Sequence, residues 1–421
     1  MKTRTCILIF LMLFSSGIIS QTTLISLAEC QQKAQNNYPL IKQYDLISLA
    51  EQYTLDNLTK DYLPQISLNG QASYQSDITQ LPIKVPGINT PTMDKDQYKI
   101  TLDVSQLIWD GGTIRSQSGI TKASTELEKQ KVEVNLYAVR EQIDQLYFGI
   151  LALDEQLKQL HILTADLQTH HDRVKSMLKN GVAMASDLDL VQVELLNTEQ
   201  NKIELGLLRS AYLKMLSLFI NENLDESTEL QTPQEFIDFP PEINRPELAL
   251  YKKQRSLFEA QETFIKAKNM PRFSLFVQGG YGRPGLNMMD PDFKLFAIGG
   301  IRLSWNFGNL YTKKNEERLI ENDKNSVDVQ ERTFLFTTNV QLARVEKEIQ
   351  KYQRLMEKDD EIISLRNRIK TAGESKYRNG VYSMNDLIND INAENQARVT
   401  KSLHEMQYLL SIYNYKHIQG I

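Results

Sequence analysis

Residues 173–201 read RVKSMLKNGVAMASDLDLVQVELLNTEQN, and residues 376–399 read KYRNGVYSMNDLINDINAENQARV. Both stretches hold Asn-Gly-Val, and both place an Asp-Leu pair six residues after the glycine: Asp187-Leu188 after Gly181, and Asp386-Leu387 after Gly380. Asn-Gly punctuates a chain. An acid shortly after it suits the first turn of a new helix, where the dipole favours negative charge. Long apolar periodicity precedes and follows each copy. Each stretch therefore reads as the tip of a helical hairpin, and the chain holds two hairpins.

The arms of these hairpins are long. Thr113–Lys179 contains no proline and only Gly119 and Gly149; wholly helical, it would extend ~100 Å at ~1.5 Å per residue. From Val132 its apolar steps alternate four and three, through Leu136, Val139, Ile143, Leu146, Ile150, Leu153, Leu157 and Leu160, which is a heptad seam. The seam weakens at Thr164 and His171 and resumes at Leu167, Val174 and Leu178. Leu342, Val345, Ile349, Tyr352, Met356 and Ile363 form a similar line, broken by Asp359. Helices of this length cannot bury an apolar face alone, so each must pair with the helix returning from its tip and then with others.

Ahead of each hairpin lies a strand pair. Leu27–Asp61 has helical spacing, with Pro39 placing the start of the helix proper near Leu40, and Leu63-Pro64 ends it. Then Ile66, Leu68, Gly70, Ala72 and Tyr74 alternate with Ser67, Asn69, Gln71 and Ser73. After a loop carrying Pro82, Pro86, Gly87 and Pro91, Tyr98, Ile100, Leu102 and Val104 alternate with Lys99, Thr101, Asp103 and Ser105. A period of two is the signature of a strand with one apolar face. The second half repeats the plan. Met270-Pro271 ends a helix, Phe273, Leu275, Val277, Gly279 and Tyr281 share a face, and so do Leu295, Ala297, Gly299, Ile301, Leu303 and Trp305. Strands of about ten residues suit a tilted membrane-spanning strand. Trp109 and Trp305 each end a strand that runs straight into a long helix, the place for an indole at a membrane interface.

Matching landmarks recur with a period of about 200 residues. The expected organisation is a signal peptide at 1–20, a first repeat at 21–220, a connector at 221–245 and a second repeat at 246–421. Strands are expected at 65–75, 97–108, 272–282 and 294–305, with tips near 180–187 and 379–386. Lys2 and Arg4 before the apolar run Cys6–Phe14 carry the secretory reading. Removing them takes the net charge from −5 to about −7. A mildly acidic chain without basic blocks argues against nucleic acid as a partner. Cys30 is the one cysteine after the leader, so no intrachain disulfide follows. No later stretch is apolar enough for a spanning helix, and membrane residence would have to come from strands.

Catalytic patterns do not hold up. Gly280-Tyr281-Gly282-Arg283-Pro284-Gly285 matches GxGxxG in letters, but it contains a proline and opens no helix at which phosphates could bind. His170 and His171 point about 100° apart on a helix and cannot share a metal; the pair reads as one seam and one surface histidine. His161, His404 and His417 are scattered. The sequence points to no enzyme, no cofactor and no metal. The tip acids Asp187, Asp189, Asp386 and Asp390 admit two readings: helix caps, or, if several chains gather their tips around an axis, rings of carboxylates that attract cations.

In this order and spacing the motifs resemble the outer membrane efflux proteins, the TolC-like channel-tunnels, over essentially the whole chain after the leader. Ser26-Leu27-Ala28-Glu29, Asn37-Tyr38-Pro39-Leu40, Leu63-Pro64-Gln65-Ile66-Ser67-Leu68, Leu107-Ile108-Trp109-Asp110-Gly111-Gly112 and the two tips carry the resemblance. It implies an α+β membrane protein, a homotrimer in which duplicated strand pairs build a twelve-stranded barrel continued by a periplasmic helical barrel. It also implies a periplasmic adaptor (membrane fusion protein) and an inner-membrane pump docking at the tips, for efflux or type I secretion. Asp187, Asp386 and Tyr377 match aperture positions; Asn389, with Asp390 beside it, stands where a second aspartate ring would fall. The family's tip arginine is replaced near Tyr382. The competing reading is a periplasmic coiled-coil adaptor or spacer without a pore. Two hairpins, each framed by strands, speak against it.

Overall fold

The computed structural model describes residues 24–78, 93–234 and 242–421. The leader and the proline-rich loop at 79–92 lie outside them, as do residues 235–241 of the connector. Contacts divide the chain into two compact units, and each draws on both repeats. The first takes its segments from the part up to Asn37, Arg140–Ile237 and Glu348–Tyr413, and the second from Tyr38–Val139, Asp238–Lys347 and Asn414–Ile421.

The second unit is built on one four-stranded antiparallel sheet: β1 (Gln65–Tyr74), β2 (Asp96–Trp109), β3 (Arg272–Arg283) and β4 (Lys294–Ser304), in that spatial order. β2 and β3 join the strand pairs of the two repeats. The register stacks apolar on apolar throughout: Leu68 faces Leu102, Val104 faces Val277, and Leu275 faces Ile301. A slip of one residue would turn every one of these side chains over. β2 runs longer than its alternation predicts. Its pairing with β3 is irregular between Leu107 and Trp109, so Trp109 pairs with Phe273. The extra residue moves the indole onto the apolar face.

The other face of the sheet is polar with two aromatic inserts. Asp103 accepts hydrogen bonds from Asn69 (2.8 Å), Thr101 (2.9 Å) and Gln278. Phe296 lies over Gly280, where a Cβ would come within 2.3 Å of its ring. Lys99 Nζ sits 4.9 Å from the centroid of Phe296, and the Arg302 guanidinium sits 4.8 Å from that of Phe276. The cations thus cover the rings that the polar face exposes.

At the end of β2 the chain turns into α3 (Thr113–Lys179). Asp110 accepts from the Gly112 and Ile114 amides at 2.9 and 2.6 Å, satisfying donors that the helix start leaves open. Gly111 adopts φ +71° with Met270 packed against it. Asn306 repeats the turn in the second half, accepting from the Gly308 amide at 3.0 Å before α6 (Asn309–Arg378). Also in this unit, α2 (Gln43–Lys60) presents Leu46, Leu49 and Tyr53 to solvent, and α5 (Pro246–Lys268) leads into β3.

The first unit is helical. α1 (Leu27–Asn37) forms ahead of Pro39, not after it. Ser26 Oγ accepts from the Glu29 amide, and Leu27, Cys30 and Ala34 bury one face. The proline then starts a short 3-10 turn, Pro39–Lys42, and α2 begins only at Gln43, because proline is tolerated at a helix start and not within one. α1 packs against α4 (Ala185–Ile220) and reaches α3 through Gln31 and Asp144; α3 beyond Arg140, α6 beyond Glu348 and α7 (Met384–Gln419) up to Tyr413 complete the unit. Tyr147 is fully buried and donates to the Ile25 and Gln231 carbonyls at 2.7 and 2.6 Å. The seam of α3 is wider than one heptad line, taking in Phe148, Leu151, Leu163 and His170, since the helix has neighbours on more than one side. Asp359, which breaks the seam of α6, is buried and paired with His404 Nδ1 at 2.6 Å.

Candidate functional site: the hairpin tips

Both hairpins turn in the same way. Gly181 and Gly380 each have φ +72°, a conformation that favours glycine. The Val182 amide donates to the Met177 carbonyl (2.9 Å) and the Gly181 amide to Leu178 (3.0 Å). In the second tip, Val381 donates to Lys376 (3.1 Å) and Gly380 to Tyr377 (3.0 Å). These are two copies of a Schellman motif. Val182 and Val381 stand exposed beyond the turns.

The returning helices start on the acids. Asp187 Oδ2 accepts from the Met184 amide at 3.2 Å; Met184 offers no side-chain oxygen, so half of a capping box forms. The second tip forms a fuller cap. Ser383 Oγ accepts from the Asp386 amide at 3.1 Å and donates to Asp386 Oδ2 at 2.6 Å. Asp390 accepts from the Tyr382 hydroxyl at 3.0 Å. That bond, ahead of burial, raises the Tyr382 pKa. Each of these three acids is therefore engaged locally.

Below the turns the two tips share a core of Leu163, Leu167, Val174, Val191, Met384, Leu387 and Ile391. Tyr377 belongs to it, only 7% exposed. Burial pushes its hydroxyl above the ordinary tyrosine range, with the Asp187 carboxylate adding to the effect. The structure thus sets Tyr377 inside the tip near Asp187, while Asp386 lies at a separate cap.

Beneath this core a polar layer crosses between the hairpins, which the sequence reading missed. Lys370 Nζ binds Asp166 Oδ2 at 2.5 Å, and Glu394 lies 3.8 Å from Lys370 and accepts from Arg398. His170 is buried beside them, although the heptad line runs through His171, which stays partly exposed because the helix has neighbours on a second side. The one signal was a pair of four-residue spacings, Asp166 to His170 on α3 and Lys370 to Glu374 on α6.

In the sheet-bearing unit, Trp109 and Trp305 are 44% and 47% exposed. Trp109 lies 5.8 Å from Phe273 and Trp305 lies 4.7 Å from Phe307, centroid to centroid. Trp305 Nε1 donates to the Asn269 carbonyl at 3.1 Å. At the opposite end of the sheet Phe293 stacks on Tyr281 (5.4 Å) and Tyr98 (6.3 Å). The apolar face therefore carries aromatic rings at both ends.

Residues 31–217 match the sequence model of the outer membrane efflux protein family. Over this segment the chain is similar to the outer membrane efflux proteins. No curated protein sequence matches it. Solved structures extend the likeness in fold across the second repeat. The outer-membrane channel OprN is 14% identical with a TM-score of 0.67, covering 94% of this chain and 89% of that one. The CmeC outer membrane channel of Campylobacter jejuni is 15% identical with a TM-score of 0.63, over 94% and 85%. The outer membrane protein VceC of Vibrio cholerae is 11% identical with a TM-score of 0.66, over 94% and 96%. The efflux-protein fold is thus an α+β channel fold with duplicated strand pairs and long helical hairpins. That fold is shared with these solved outer-membrane channels along 94% of this chain. Among the described residues no helix is long and apolar enough to cross a membrane, and the apolar sheet face is the surface suited to lipid.

Proposed function

We propose that this protein is the outer-membrane duct of a tripartite efflux or type I secretion assembly, passively conducting cargo that an inner-membrane pump expels. The sheet is the observation that carries this reading. Its apolar face bears aromatic clusters at both ends, and among the described residues the outer edges of β1 and β4 pair with no further strand. Along β2, Tyr98 to Trp109 extends about 35 Å at ~3.3 Å per residue. A tilt of ~40° reduces this to roughly 27 Å, close to the ~25 Å apolar height of an outer-membrane barrel. Four strands cannot close on themselves, and open edges invite pairing with further copies. Three copies would give twelve strands, with Asp103, Asn69, Lys99 and Arg302 facing the lumen.

In this reading the helices extend into the periplasm, and an adaptor and pump dock at the tips. Asp187, Asp386 and Asp390 border the aperture, Tyr377 supports it from the tip core, and rings of Asp386 would attract cations while still capping α7. Gly181 and Gly380 make the turns. Residues 1–20 direct export, and 221–245 connects the repeats.

Membrane fractionation and planar-bilayer recording test the duct. The protein should stay with outer-membrane pellets after high-salt washing and should conduct, and Asp386→Ala should weaken block by multivalent cations added at the tip side. Release by salt would favour the coiled-coil spacer, and unchanged block would leave Asp386 as a cap alone.

A further inference from the structure

The polar layer below the tips contains an arrangement that neither capping nor conduction uses. Asp166 and His170 lie one turn apart on α3, and Glu374 reaches them from α6. Their ligand atoms lie within 4.8 Å of one another. His170 is 3% exposed, and its Nε2 points between Asp166 Oδ1 and Glu374 Oε1, at 3.7 Å from each. That separation is too long for an N–H···O hydrogen bond. A buried ring nitrogen aimed between two carboxylates without bonding either has left a favourable interaction unmade.

We propose that Asp166, His170 and Glu374 form a binding site for a divalent first-row transition-metal ion, which fastens the first hairpin to the second. One imidazole and two carboxylates make a borderline-to-hard donor set, suited to Zn²⁺ or Mn²⁺ and not to the soft Cu⁺. Ligand atoms on such an ion lie ~3.3 Å apart at bond lengths of ~2.0–2.2 Å, so the three side chains need to close by less than about 1.5 Å. The two carboxylates offset the charge of the ion, and Glu394, 3.8 Å from Lys370, offsets that of the lysine. The oxygens of Asp166 divide their work: Oδ1 faces the histidine, and Oδ2 is held by Lys370, which orients the ligand as outer partners of metal sites do. The site joins α3 of one repeat to α6 of the other at matched heights, since the Asp166–Lys370 contact lies one turn before the His170–Glu374 contact.

The proposal is independent of the conduction reading and is tested without a transport assay. Full-length protein purified in detergent and stripped with chelator is titrated with Co²⁺, followed by visible absorption, and with Zn²⁺, followed by the thermal midpoint. One Co²⁺ per chain should bind and be displaced by Zn²⁺, and Zn²⁺ should raise the midpoint. His170→Gln and Glu374→Gln should lose both effects, while His171→Gln and His404→Gln should retain them. Helical circular dichroism of each variant before titration verifies that it is folded. Equal Co²⁺ binding by folded His170→Gln, or no binding by the wild-type protein, would overturn the site. A midpoint that responds to pH and not to Zn²⁺ would assign the position to a proton and overturn it equally.

Discussion

At the scale of single residues, Asp144 on α3 is strongly perturbed. It is 2% exposed, and its Oδ1 accepts from Gln31 Nε2 at 2.5 Å. Burial raises its pKa to about 7, against opposing contributions from the Gln31 bond and Arg140. The folded chain therefore keeps this proton after the unfolded chain, titrating near ~3.9, has lost it. Stability from this group is fully present below pH ~4 and declines as pH rises to about 7, where it levels off. Asparagine mimics the protonated form at every pH and still accepts from Gln31. Asp144→Asn should raise stability at pH 8 by at most roughly 4 kcal/mol and change it little at pH 4. Thermal midpoints across that range check this, and an equal shift at both ends would mean that the carboxyl is not the cause.

At the scale of elements, the strands and hairpins follow from short-range pattern. Ile66–Tyr74 and Phe273–Tyr281 alternate cleanly, and each Asn-Gly-Val places its glycine at φ +72°, so the α+β fold class was legible. What escaped the sequence depends on partners far away in the chain. The β2 irregularity exists only in relation to β3, yet it decides which way Trp109 faces. The layer of Asp166, His170, Lys370 and Glu374 needs the packing of α3 on α6, which no local period encodes. The burial of Tyr377 likewise comes from the other hairpin. The two tryptophans allow a test at this scale. Both lie on the apolar face at the helical end of the sheet, so in vesicles both should be quenched by lipids carrying an interfacial quencher, and less by one near the bilayer centre. Variants with one tryptophan separate the signals (Trp109→Phe, Trp305→Phe). Absence of interfacial quenching at either residue would remove it from the membrane boundary.

At the scale of the whole molecule, the sequence repeat and the compact unit are different things. Each unit takes segments from both repeats, so neither repeat can form its own core, and the duplication is completed by β2 pairing with β3 and by the shared tip core. The same logic extends beyond one chain. On α4, Val193, Leu196, Ile203 and Leu207 are exposed at helical spacing, while Val191, Leu213, Leu216 and Ile220 are buried on the inner side. In the same unit Ile362, Leu365 and Ile369 form a second exposed line on α6. Two different apolar lines on one protomer suit a head-to-tail ring, in which one line meets the other on the next copy. Fully burying a leucine contributes ~1.5–3 kcal/mol, and a charge in its place adds desolvation. Leu196→Glu with Leu207→Glu should therefore weaken every interface of the proposed trimer by several kcal/mol while leaving the inner face of α4 intact. Light scattering in detergent should report a shift from trimer towards monomer with unchanged helical circular dichroism. If the double variant keeps the mass of the parent assembly, this face of α4 meets solvent, and the ring must be held by the sheet edges alone.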